Sequence, residues 1–173
     1  MRLAAAFVAL CAATAGAQAR PSFAGEWVRV DSTPAKPTVA ATGDAAFRTG
    51  DMGSGWGAPI TIRQTDDSLF VEYAQFSAYD LQPRQRYAFA LDGSETLNRV
   101  IVGHAESVQR ARAVWRGGDL VITTRHPAPP DISRAPIEVQ QVLSLDAAGQ
   151  LVVETTRPGY RAANVVRTTY SRR

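Results

Sequence analysis

The chain has 173 residues, 19 basic and 16 acidic, for a formal charge of +3, and one cysteine. This length supports a single domain that buries roughly 70% of its unfolded surface, and a lone thiol excludes an internal disulfide or a thiolate zinc cluster. The basic excess is small and consists, apart from Lys36, of scattered arginines, so no nucleic-acid-binding patch is expected.

Residues 1–19 read as an export leader. Met1-Arg2 is a short positive segment, residues 3–12 are apolar, and Ala17-Gln18-Ala19 places small residues where a signal peptidase cuts. The apolar run is well short of the ~20 residues that span a bilayer, so no transmembrane segment is expected after cleavage. Cys11 lies inside this run, and the bulky Leu10 before it argues against lipid attachment. The mature domain is expected to be residues 20–173, without thiols, in the periplasm or outside the cell.

Past the leader, helical periodicity is nearly absent and alternating segments recur. Strands are expected at 26–30, 60–64, 69–75, 84–90, 97–102, 108–116, 120–125, 137–145, 151–157 and 165–171. Between 31 and 59 the rhythm breaks into a long loop with Pro34, Pro37 and a glycine-dense stretch at 51–57. A segment of that length without a strand is usually a lid or binding loop, and Trp56 among its glycines is expected to pack. Later separators carry tight-turn chemistry: Thr65 to Ser68, Asp92-Gly93, Gly117-Gly118-Asp119 and Asp146 to Gly149. Residues 115–125 and 145–157 look like copies of one hairpin, each ending in Thr-Thr-Arg. Short turns between neighbours predict an antiparallel meander, and the strand spacing suits a sandwich or a barrel.

Alternation assigns faces. On 108–116, Arg110, Arg112 and Arg116 share one side with Val108 and Val114, opposite Ala111, Ala113 and Trp115. The arginine rows are expected to face water, which also excludes an outer-membrane barrel, where each would cost ~2–4 kcal/mol at mid-bilayer. On 137–145 the inward row is Ile137, Val139, Gln141, Leu143 and Leu145, with Gln141 a polar intruder that needs a hydrogen-bond partner. The inward aromatic set is Trp27, Tyr73, Tyr87, Phe89, Trp115 and Tyr170. It suits a small-molecule cavity or an ordinary packed core equally well.

Gly25-Glu26-Trp27, preceded by Phe23, resembles the Gly-x-Trp opening of lipocalins and related calycin barrels. Residues 23–170 are also similar to uncharacterised exported bacterial lipocalin-like proteins, in the Gly-x-Trp start, the Met52 to Trp56 loop, the Leu91 to Glu95 turn and the paired Thr-Thr-Arg hairpins. The resemblance implies an all-β fold, a single antiparallel up-and-down barrel of about 8–10 strands. It implies that Gly25 and Trp27 close one end and that a late basic residue, matched to Arg167, stacks on the indole. Arg29 departs from the pattern, because the position sharing the face of Trp27 is usually apolar. A bulge after Trp27, or a place at the rim, would account for it.

No catalytic motif emerges. His104, Glu106 and His126 lack the spacing of a metal site, and both histidines read as solvated loop-end residues. Glu72, Glu138 and Glu154 fall on outward faces, so no inward carboxylate pair is projected, and Ser54 lacks a strand-turn-helix context. The proline-rich stretch at 127–130 reads as a rigid connection. The sequence is therefore read as a non-enzymatic carrier without cofactor or metal. A small, largely apolar molecule is expected against Trp56, Tyr73, Tyr87, Phe89 and Trp115. The alternative is a ligand-free barrel that binds or inhibits another protein through its surface and long loop.

Overall fold

The computed structural model describes residues 20–33, 56, 59–73, 84–102, 105–126, 136–158 and 163–173. These form ten strands: β1 (Gly25–Thr33), β2 (Ile60–Gln64), β3 (Ser68–Tyr73), β4 (Gln85–Ala90) and β5 (Thr96–Val102), then β6 (Ala105–Arg116), β7 (Asp119–His126), β8 (Ile137–Leu145), β9 (Leu151–Arg157) and β10 (Asn164–Arg172). All ten expected strands are present, three of them (β2, β8 and β9) with the expected bounds. The main departures are β6, which starts three residues early, and β1, which runs to Thr33, three residues into the segment read as loop. The leader, Cys11, His104 and the proline-rich stretch at 127–130 lie outside the described residues, as does most of the long loop.

The strands form one antiparallel sheet in the order β4-β3-β2-β1-β10-β9-β8-β7-β6-β5. Pairing of β1 with β10 joins the two ends of the chain, Trp27 opposite Arg172 and Arg29 opposite Tyr170. The fold is thus all-β, a nearly closed, up-and-down antiparallel barrel, lipocalin-like in architecture as expected. Its one seam falls between β4 and β5, where side chains replace a backbone ladder. Asn98 Nδ2 donates to the Ala88 carbonyl at 3.1 Å and its Oδ1 accepts from the Ala88 amide at 2.7 Å. Gln85 Nε2 donates to the Arg99 carbonyl at 2.8 Å.

The two ends of the barrel differ. The turns at 65–68, 91–95, 117–118 and 146–150 all lie at the Trp27 end. Gly117 has φ 64°, a conformation open to glycine at little cost, and Asp146 Oδ1 accepts from the Ala148 and Gln150 amides. The longer connections, outside the described residues, leave from the opposite end.

Period-2 patterning decides what fills the interior. Near the Trp27 end the inward rows are apolar: Trp27, Ile60, Ile62, Leu69, Val71, Ala113, Leu120, Ile122, Leu143, Leu151, Val153 and Tyr170 are all buried. The expected arginine rows do face outward, where exposed ion pairs link neighbouring strands. Arg110 and Glu95 are 2.6 Å apart, Arg125 and Glu138 3.2 Å, and Arg63 and Glu72 3.2 Å. Among the described residues no helix is long and apolar enough to cross a membrane.

Candidate functional site

The Trp27 end is plugged. Trp27 Nε1 donates to the Phe23 carbonyl at 2.8 Å. Gln64 ties down the segment before β1 with both ends of its amide, accepting from the Phe23 amide at 2.8 Å and donating to the Pro21 carbonyl at 3.1 Å. Gly25 has φ 149°, and a Cβ there would lie 3.6 Å from both the Arg172 guanidinium and Trp27 Nε1. Backbone conformation therefore calls for glycine under the indole more than space does.

The stacking cation is Arg172, 4.8 Å from the centre of the Trp27 ring, and not Arg167. In antiparallel pairing the start of β1 meets the end of β10. Arg167 lies five residues up the strand, and an odd separation puts it on the outer face opposite Glu154. Arg29 also differs from expectation. The bulge comes after it, where the register shifts between Arg29 and Asp31, so Arg29 shares the inward face of Trp27 and is half-buried beside Tyr170.

The expected ligand-binding aromatics divide into groups. Tyr73, Tyr87 and Phe89 form a continuous wall on β3 and β4, with ring centres 6.1 and 6.2 Å apart and the two hydroxyls 3.4 Å apart. Burial raises both phenol pKa values, so each stays a neutral hydroxyl. Trp115 is not part of this wall. It lies beside the Gly117 turn at the plugged end, stacked on Phe23 at 5.8 Å with Arg20 on its ring at 5.6 Å. Trp56 packs into the core, four residues before β2.

The sequence reading missed a polar layer above the apolar core, toward the end with the long connections. It takes inward residues from most of the strands: Gln85 on β4, Asn98 on β5, Gln109 on β6, Thr124 and His126 on β7, Gln141 on β8, Thr155 and Arg157 on β9, and Thr168 on β10. His126 is not a solvated loop residue but the last residue of β7, half-buried, facing Gln109. Thr124 Oγ1 donates to the Val139 carbonyl at 3.3 Å and lies 3.2 Å from His126 Nε2. Gln109 Nε2 lies 3.1 Å from His126 Nε2 and 3.3 Å from its Nδ1. Glu106 points outward to Arg99 at 3.3 Å, on the other side of the wall from His126, so the two cannot share a metal ion.

Burial, reinforced by the nearby Arg157 charge, holds the His126 imidazole below its ordinary value of 6.5. The unfolded chain therefore takes up a proton at a higher pH than the native one, and stability is lost as pH falls below about 6.5 toward the native value. The melting midpoint is expected to drop between about pH 7.5 and pH 5.5, and to drop less in His126→Gln.

No protein-family model matches the sequence, and no curated protein matches it. Among solved structures, the chain resembles zebrafish ileal bile acid-binding protein in complex with cholic acid. The identity is 19% and the TM-score 0.55, over 87% of this chain and 98% of that one. At that identity the likeness concerns the fold alone.

Proposed function

We propose that this chain is an exported, lipocalin-like carrier that holds a small, largely apolar molecule against Tyr73, Tyr87 and Phe89 without acting as an enzyme. The observation that carries this reading is the asymmetry of the interior. One end is plugged by Phe23, Trp27 and Trp115, while toward the other an aromatic wall and a polar layer line the interior. Barrels of this size hold one small ligand inside. The cholic acid bound by the zebrafish protein, an apolar body with polar groups, supports the same class of ligand here. The leader at 1–19 and the thiol-free remainder support export to the periplasm or beyond.

The test is titration of the purified protein with Nile red, read by probe emission and by quenching of tryptophan. One saturable site is expected, weakened about tenfold or more in Tyr87→Ala, as befits loss of a buried aromatic contact. Ala113→Phe serves as a control. Ala113 is fully buried in the apolar half, so overpacking should lower stability by about 1–3 kcal/mol while the site persists. Failure to bind Nile red and a panel of lipid, retinoid-like and haem-like probes would replace the carrier reading with a barrel that acts on a protein partner.

A further inference from the structure

We propose that the polar layer is a subsite for the carboxylate of an amphipathic organic acid, with the Arg157 guanidinium as its cation and Gln109 and Thr155 as hydrogen-bonding groups around it. The proposal rests on the carrier reading and narrows its ligand from a largely apolar molecule to one with an apolar body and an anionic head.

The charge distribution across the wall supports it. Glu72, Glu95, Glu106 and Glu138 pair with arginines on the outer surface, and Glu154 is exposed there. Arg157 and His126 lie on inward rows, with no aspartate or glutamate beside them on the inward rows of the described strands. Arg157 is half-buried, and that burial lowers its pKa, yet a guanidinium keeps its charge. A charge in that setting is costly unless it is paired, and among the described residues no carboxylate pairs with it.

Unmatched hydrogen-bonding capacity lies in the same layer. Thr155 is buried, and its hydroxyl has no partner among the described residues. Gln109 is also buried. Its amide nitrogen is engaged by His126 while its Oε1 has no partner. Native interiors leave few such atoms. The Thr155 hydroxyl, one inward position before Arg157 on β9, is a donor suited to a carboxylate, and the Gln109 oxygen accepts from a hydroxyl or a protonated group on the ligand.

Topology places head and body. Following the sheet order around the barrel, β9 lies five strands from β4 in either direction. Arg157 and Thr155 therefore face the Tyr87 and Phe89 wall from the opposite side. A ligand with its carboxylate on β9 lays its apolar body across the barrel onto those rings, rather than down the axis into the packed half.

The experiment compares dodecanoate with dodecan-1-ol, equal in chain length, by displacement of Nile red at about pH 8. Native protein is expected to prefer the acid by about tenfold or more, as one charge-assisted contact provides. Arg157→Gln should bring the two within about twofold by weakening only the acid, and Arg157→Lys should restore the preference. Melting curves establish that the variants are folded. Equal affinities on native protein would overturn the subsite and leave the carrier reading intact, and so would a preference that survives in folded Arg157→Gln. Failure of both molecules to displace bound Nile red would show that its site takes neither, and would overturn the subsite alone. An absence of any Nile red site would remove the carrier reading and the subsite with it.

Discussion

Replacing Trp27 with alanine is expected to cost about 3–5 kcal/mol, as removal of large buried aromatics does, and so most of the stability of a domain this size. Trp27 is fully buried at the base of the core. Its loss removes the packing of the plug, strips the hydrogen bond from the Phe23 carbonyl and leaves Arg172 without its ring. Arg172→Ala is expected to be milder, about 0.5–1 kcal/mol for a partly exposed cation on an indole. The double variant should cost less than the sum of the two, because the groups touch. Arg167→Ala, on the outer face, should be nearly neutral and additive with Trp27→Ala. Urea denaturation of the six proteins, native and both double variants included, would check this, and additivity between positions 27 and 172 would dissolve the partnership.

Asn98→Leu is expected to be the next most damaging change. One buried amide side chain meets both backbone groups of Ala88 across the seam between β4 and β5. Leucine fits the volume but leaves the Ala88 amide and carbonyl without partners, and unsatisfied groups of this kind cost about 1–3 kcal/mol each. A total loss of about 2–4 kcal/mol follows, with faster hydrogen exchange at the Ala88 amide. Gln85→Ala should be milder, since it removes a single bridging bond to Arg99. Unchanged exchange at Ala88 in Asn98→Leu would show that the seam is held by something else.

The strand pattern was legible because it rests on local alternation and on turn residues, both plain in the chain. Tyr73, Tyr87 and Phe89 followed from the same rule. Trp115 shared their face but not their height, since alternation gives a side of the wall and not a level along it. Only the register, with Trp115 opposite Leu120 at the foot of β6 and β7, places it at the plug. The misassigned Arg167 has a similar origin, because the partner of Trp27 depends on a pairing between the two ends of the chain.

The polar layer was missed for a subtler reason. The paired Thr-Thr-Arg hairpins look alike, but β7 begins Leu-Val-Ile-Thr-Thr-Arg and β9 begins Leu-Val-Val-Glu-Thr-Thr-Arg. Glu154 is one extra residue, and a one-residue shift turns every later side chain to the other face. Arg125 therefore points to water and pairs with Glu138, while Arg157 points inward. Two strands away, the inward row of β7 ends in His126, which feels the Arg157 charge. Tracing the inward row through each copy, rather than matching their letters, would have revealed the pair.

The pairing of β1 with β10 also bears on how the molecule comes to exist. A ribosome releases β1 first and β10 last, and a hydrogen bond such as that from Ser171 to the Val28 carbonyl joins residues 143 apart in the chain. The hairpins from β6 to β9 can form as they emerge, but β1 keeps an unpaired edge until the last nine strand residues arrive. Such an edge is a template for any strand nearby. A chain that stops short of Asn164 would carry two sticky borders, on β1 and β9, and would tend to join its own copies. The final strand thus serves the molecule as a seal against self-association during synthesis, a role that the finished barrel conceals.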